Sequence, residues 1–428
     1  MTAQSDGQRG PTGVARRRRV SPLTIGITLT FAMAMGNLTQ FTLGALGPIL
    51  IDDLGLSPVQ LGTLSSAYFA VGVVLSARMG AMVDRFGGRT MLVVLFGCSA
   101  AALAGMAASP GFGWLVAASA GAAVPLAISN PATNQLVAAA VPRGRQGVLL
   151  GAKQSGVQVS AAVAGGVLPT AALLVGWRTV LLVVAAVALT GVALSRWTLP
   201  AAPRRAQGKP ANGSDRRQPR LVRWLTAYAA LMGASLAAII TYLPLYGTQA
   251  VGLSVPAAGA TAALIGAVGI PSRILWARYA ERSGRIRGPL LTMSAIAAVA
   301  TAAVLAAPLL PALIWLGAAA LGASAGSWLA VVTLTVVRDV ATATAGRASG
   351  IVLTGFYLGM VSSPVAVGWT ITATGGYNVA WLLVVLTTLA SGGLVAAWAR
   401  QDPHEDGLRG SSRPAGERRE ASGGRTGA

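Results

Sequence analysis

The sequence predicts an all-α polytopic membrane protein, with twelve transmembrane helices arranged as two pseudo-symmetric six-helix bundles. Composition is the first reason. Mean hydropathy is +0.64, and 54% of the 428 residues are hydrophobic against 11% charged, the balance of a chain that lives in lipid. The spacing of charges is the second. Uncharged runs lie at 20–51, 54–77, 90–142, 154–177, 179–195, 224–272, 288–337 and 348–399. The runs at 90–142, 224–272, 288–337 and 348–399 are about twice the ~20 residues one helix needs to cross a bilayer. Each has a turn signal near its middle (Pro110-Gly111, Tyr246-Gly247, Pro308 to Pro311, Gly375-Gly376) and so holds two helices. The third reason is internal duplication. Gly55-Leu56-Ser57 is followed by Asp84-Arg85-Phe86-Gly87, and Gly252-Leu253-Ser254 is followed at the same interval by Glu281-Arg282-Ser283-Gly284. The apolar stretch between each serine and its acid is about one bilayer crossing at ~1.5 Å per residue, so the serine marks one face and the acid the other.

In chain order, residues 1–21 read as a basic N-terminus. The apolar segment after it is too long for a signal-peptide core and lacks a small-residue cleavage site, so it reads as a retained helix 1. Helices are expected at 22–47, 59–80, 90–109, 113–140, 147–174 and 178–198, giving a first bundle over 22–199. Residues 200–223, rich in Pro, Arg and Gly without apolar periodicity, read as a linker. Helices at 224–247, 256–279, 289–308, 311–337, 348–372 and 377–399 give the second bundle over 224–400. The mixed-charge, Gly/Ser-rich tail at 401–428 reads as disordered.

A net charge of +21 could suggest nucleic acid, but the basic residues follow topology instead. They cluster at Arg16 to Arg19, Arg85 and Arg89, Arg143 and Arg145, in the linker, between Arg273 and Arg287, and at Arg338 and Arg347. Every cluster falls on one side of the twelve-helix layout, and the opposite loops hold only Arg178. That bias places both termini in the cytoplasm and the protein in the cytoplasmic (inner) membrane. Cys98 stands alone, which excludes a disulfide within the chain, and reads as a small buried apolar residue. The only histidine, His404, lies in the tail and supports no metal or catalytic role.

The segment GAMVDRFGGR (80–89) resembles the loop-2/3 signature of the major facilitator superfamily, Gly-x-x-x-Asp-Arg-x-Gly-x-Arg, and ARYAERSGR (277–285) resembles its degenerate copy in the second half. Helix count, central linker and paired loops extend the resemblance over essentially the whole chain. It implies two rigid halves rocking about a central solute. It also implies conformational roles for Gly80, Asp84, Arg85, Gly87, Arg89, Glu281 and Arg282. The loop would reach the start of helix 11 at Gly346-Arg347, with a mirrored contact from Glu281 to Arg145 at the start of helix 5. Physical chemistry allows this: Gly87 and Gly88 permit positive φ at a tight turn, and an acid there can pair with arginine or with a helix N-terminus. Charges that merely enforce topology are the alternative.

Polar residues within spans outline a candidate binding region, since in lipid they face a cavity or another helix. Helix 1 offers Asn37 and Gln40; helix 4 offers Asn130 and Asn134, four apart and near Pro125 and Pro131; helix 5 offers Lys153, Gln154 and Gln158. Helix 7 adds Tyr242 and Tyr246, helix 10 Trp328 and helix 11 Tyr357. The resemblance puts helices 1, 4, 7 and 10 around the central cavity. For any one of these residues an interhelical hydrogen bond is the competing reading. Lys153 can face the solute or snorkel back to the membrane surface. Arg273, close to the repeated loop, reads as structural.

The absences are informative. All twelve acids fall in tails, linker, loops and helix ends, so no buried carboxylate awaits a proton or a cationic substrate. The family's helix-4 arginine has no counterpart between Arg89 and Arg143, and Gly165-Gly166-Val167-Leu168-Pro169 replaces the Gly-Pro pair usual in helix 5 of drug/proton antiporters. Both departures weaken a drug-export reading. The expected function is therefore secondary transport of a small organic solute, neutral or anionic. Efflux of amphiphilic compounds, bound by Tyr68, Tyr242, Tyr246, Trp328 and Tyr357, is the alternative. An enzyme lacks a nucleophile-base pair, and a sensor lacks a signalling domain. No cofactor, metal or nucleic acid is expected, the partners are solute and lipid, a coupling proton or ion is left open, and a monomer suffices.

Overall fold

The structure, a computed structural model, describes residues 22–140, 143–199, 220–339 and 345–401, and within them the regular structure is helical. Sixteen helical segments group into twelve rods. Helix 1 comprises Pro22–Ala45 and Gly47–Leu54, helix 2 Pro58–Phe86, helix 3 Gly88–Ala107, and helix 4 Phe112–Gly121 and Ala123–Ala140. Helix 5 comprises Arg143–Gly166 and Leu168–Val175, and helix 6 Trp177–Thr198. In the second half, helix 7 is Arg220–Gln249, helix 8 Val255–Ser283, helix 9 Arg287–Leu305, helix 10 Ala312–Ala323 with Trp328–Asp339, helix 11 Ala345–Thr374 and helix 12 Asn378–Gln401. Among the described residues, eleven candidate spans are long and apolar enough to cross a membrane. Helix 1 falls outside that set because Thr24, Thr28, Thr30, Asn37, Thr39, Gln40 and Thr42 dilute its apolar character.

The duplicated Gly-Leu-Ser (GLS) marks helix starts by the same local chemistry in both halves. Gly55 and Gly252 take positive φ, 62° and 75°, a region closed to most L side chains. Ser57 then caps helix 2: its hydroxyl accepts from the Gln60 N–H, and the Gln60 side chain accepts from the Ser57 N–H, a reciprocal capping box. Ser254 caps helix 8 by accepting from the Ala257 N–H, and a proline sits in each first turn. Ser57→Ala should therefore cost about 1 kcal/mol, read as a lower thermal unfolding midpoint in detergent, with Ser254→Ala costing less because only one arm of its box exists.

At the opposite ends the structure corrects the sequence reading. Helix 2 runs on to Phe86 and helix 8 to Ser283, so the acid-arginine pairs belong to last helical turns. Only Gly87, with φ 84°, makes the first turn. Gly88 already belongs to helix 3 and needs to be small instead: a Cβ there would meet the Ala132 carbonyl oxygen and the Leu136 Cγ, each at 2.8 Å. Helix 7 starts at Arg220, so the last residues assigned to the linker are helical.

Each half has its own apolar core. In the first, Leu29, Leu92, Leu95, Phe96 and Leu136 pack near the Arg-rich end and Leu38, Leu103, Leu115 and Trp177 near the GLS end. In the second, Tyr228, Met232, Met293, Trp328 and Trp398 pack together. The halves also meet directly. Leu61 of helix 2 lies in the second half's core, and Ile240 of helix 7 lies in the first half's.

Candidate functional site

The seam between the halves is tightly closed toward the GLS ends. Small residues set how closely helices approach in lipid, and along the seam they are glycines. A Cβ on Gly62 of helix 2 would meet Tyr242 Oη and the Pro364 carbonyl, and one on Gly368 of helix 11 would meet Tyr242 Oη and, at 2.7 Å, the Pro58 carbonyl oxygen. Gly165 of helix 5 and Gly259 of helix 8 face one another's backbones, and Gly44 of helix 1 faces the Ile240 carbonyl. Tyr242, 1% exposed, ties the three helices by donating its one proton between the Pro58 and Pro364 carbonyls, at 2.8 and 2.7 Å. Thr241 and Ser65 hydroxyls meet at 3.2 Å beside it. All these residues lie toward the GLS ends. Toward the Arg-rich ends of helices 2, 5 and 11, Gly80, Gly151 and Gly350 have nothing within 4 Å of a Cβ among the described residues. Among the described residues, the close backbone approaches across the seam therefore gather toward the GLS end.

The signature loop is fastened within its own half. The Gln135 side chain of helix 4 accepts from the Gly88 N–H at 2.5 Å and donates to the Val83 carbonyl at 3.3 Å and to Asp84 Oδ1 at 3.5 Å. Arg89 donates to the Arg196 carbonyl in the last turn of helix 6, where the helix dipole favours a cation. Arg85 lies over the Phe86 ring, 5.2 Å from its centroid, and Asp84, Arg85, Glu281 and Arg282 are all exposed. The Arg145 and Arg347 side chains, with which contacts were expected, lie outside the described residues. Sequence reasoning missed Gln135; standing next to Asn134 in a span, it was visible there as one more intramembrane amide.

Of the predicted binding residues, those on helices 4 and 5 come together. Lys153, 1% exposed, donates to Thr133 Oγ1 at 2.9 Å and to Asn130 Oδ1 at 3.3 Å. It does not snorkel. Thr133 is itself held to the Ser129 carbonyl at 2.6 Å. Asn130 and Asn134 are exposed on the flank of helix 4 that faces Lys153, and Gln154 is half-buried with its Oε1 buried and, among the described residues, without a hydrogen-bond partner. With its oxygen taken by Lys153, Asn130 has its two amide N–H donors left to offer.

Gln158 is buried and, with its amide oxygen turned to helix 8, accepts from Arg273 Nη2 and Nε at 2.9 and 3.2 Å. Arg273 Nε also donates to the Gly326 carbonyl at 2.9 Å. Gly326 lies in the interruption of helix 10 between Ala323 and Trp328, where backbone carbonyls are freed from helical bonding; the Trp276 indole captures another, that of Ala323, at 2.8 Å. Arg273, read from the sequence as structural, thus makes its bonds across the seam between helices 5 and 8 and to helix 10.

The others sit inside helical packing. Asn37 and Gln40 are buried, Asn37 donating to the Met33 carbonyl at 2.9 Å and Gln40 to Asn37 Oδ1 at 3.4 Å. Tyr246 donates to the Leu305 carbonyl at 3.0 Å and packs against Tyr377 and Trp381. Trp328 packs between Tyr228 and Phe356. Half-buried Tyr357 joins Phe356, Tyr68 and Phe69 in an aromatic cluster where helices 2 and 11 meet. Among the described residues no group of three or more His, Cys, Asp or Glu could hold a metal ion.

This architecture has known counterparts. The chain superposes with a TM-score of 0.75 and 16% identity on a bacterial homolog of the human lysosomal transporter Spinster in an inward-facing, unoccupied conformation, covering 90% of this chain and 98% of that one. It matches the nucleoside transporter NupG with a TM-score of 0.72 and 14% identity, over 87% of this chain and 99% of that one. At such identities the likeness shows the fold alone. A curated relative, the uncharacterized MFS-type transporter Rv1250 of Mycobacterium tuberculosis, is 27% identical over 201 residues, or 46% of this chain. The matched region spans only a third of that relative's length, 33%. The model of the Major Facilitator Superfamily matches residues 27–336, well over half of the sequence, and the chain belongs to that superfamily.

Proposed function

We propose that the protein is a secondary active transporter that moves a small organic solute, anionic or neutral and with an anion favoured, across the cytoplasmic membrane by alternating access. Lys153 is the observation that carries the anionic preference. Its ammonium is buried on the face of helix 5 that meets helix 4, both acceptors it reaches are neutral, and among the described residues no carboxylate pairs with it. An ionised group so placed is costly without a counter-charge, and a solute that carries the charge supplies it. Asn130, its oxygen occupied by Lys153, presents N–H donors to the same acceptor-rich ligand. The close packing at the GLS end supports a state open to the cytoplasm under the positive-inside orientation.

A thermal-shift screen of the purified protein against carboxylates, sugars, nucleosides and lipophilic cations tests the reading, since a ligand of the folded state raises its unfolding midpoint. Carboxylates should stabilise the wild type, and Lys153→Ala should weaken that response roughly ten- to hundredfold in ligand concentration, the worth of a charge-assisted hydrogen bond. Stabilisation by lipophilic cations alone would favour amphiphile efflux.

A further inference from the structure

The second half carries its own intramembrane cation. Arg273 lies on helix 8 nearly three turns before that helix ends at Ser283, well inside the span. It continues the stripe Gly259, Ala262, Gly266, Gly269 along which helix 8 packs on helix 5. Ile274 and Leu275, the next two residues, are exposed on the opposite, lipid-facing side, so the half-buried Arg273 side chain faces the first half.

Its partners are all neutral. Nε and Nη2 reach the Gln158 amide oxygen, at 3.2 and 2.9 Å, and Nε reaches the Gly326 carbonyl at 2.9 Å. Among the described residues no carboxylate pairs with Arg273. A guanidinium offers five N–H donors in a planar fork matched to an oxyanion, and among the described residues Nη1 meets no acceptor.

We propose that Arg273 is the oxyanion receptor of the second half, with Gln158 and the Gly326 carbonyl holding its fork in place. The ligand class is a small oxyanion, carboxylate, phosphate or sulfate. This rests on the anionic reading above and adds to it a residue from the other half. Because Gln158 belongs to helix 5 and Arg273 to helix 8, an anion docked on this fork sits at a bond across the seam, which links binding to rocking. The simpler role, capping the freed carbonyls of helix 10, predicts no response to anions.

The test uses purified full-length protein, with acetate, succinate, inorganic phosphate and sulfate as probes and acetamide as the neutral control, read by thermal shift and by equilibrium binding. Wild type should respond to at least one oxyanion and not to acetamide. Arg273→Gln should weaken that response roughly tenfold or more, with Arg273→Lys keeping part of it. Gln158→Glu supplies a built-in carboxylate: it should raise the midpoint of the unliganded protein and abolish the anion response, which keeps the proposal testable should Arg273→Gln fail to fold. An anion response that persists in Gln158→Glu and Arg273→Gln overturns the role of Arg273 while leaving the anionic reading intact. A wild type that answers only to neutral solutes overturns both.

Discussion

Replacing Gly62 with valine should hold the GLS ends of the two halves apart. A Cβ at this position would lie 2.7 Å from the Pro364 carbonyl carbon and against Tyr242 Oη, atoms of backbone and of a pinned ring that cannot swing aside. Overpacking of this kind typically costs about 1–3 kcal/mol, and here it falls on the sealed arrangement alone, since separating the halves relieves it. A bias of that size shifts a two-state equilibrium roughly 5- to 150-fold. In a Cys98→Ser background with a reporter cysteine at Val59, a membrane-impermeant maleimide applied from the GLS side should react much faster in Gly62→Val than in its parent. Solute flux should fall with it. Equal labelling rates would mean that the seam is sealed by something other than this contact.

Gly88→Val should be the most damaging change within the signature loop. Its Cβ would press on the Ala132 carbonyl oxygen and the Leu136 Cγ, each at 2.8 Å, and displace the Gln135 amide that accepts from the Gly88 N–H. Both the overpacking and a lost buried hydrogen bond contribute, each of the order of 1–3 kcal/mol. Expected are a lower thermal midpoint and little protein in the membrane. Gly80→Val is the control, because among the described residues nothing lies within 4 Å of a Cβ there. If the two variants were equally stable, docking of the loop on helix 4 would not be what the glycine serves.

The fold was legible because its signals are local. Gly55, Ser57 and Pro58 specify a helix start through a left-handed glycine, a hydroxyl cap and a proline in the first turn, and Gly252, Ser254 and Pro256 repeat it. Boundaries slipped where charge was read as the end of a span: helix 2 continues through Asp84 to Phe86, because backbone hydrogen bonding does not stop where the lipid does. The site was less legible. Tyr242, Tyr246 and Trp328 read alike, as aromatics within spans. Only their partners separate the tie across the seam from two members of the second half's core.

By itself the sequence determined the class of protein, the duplicated halves and the chemistry on offer, since hydropathy, charge placement and capping act through neighbours along the chain. Which glycines face one another, that Lys153 turns to Thr133 and Asn130, and that Arg273 meets Gln158 of the other half were decided by the tertiary structure alone. A helix presents every side chain at a fixed angle, but the angle acquires a partner only when a second helix is laid against it.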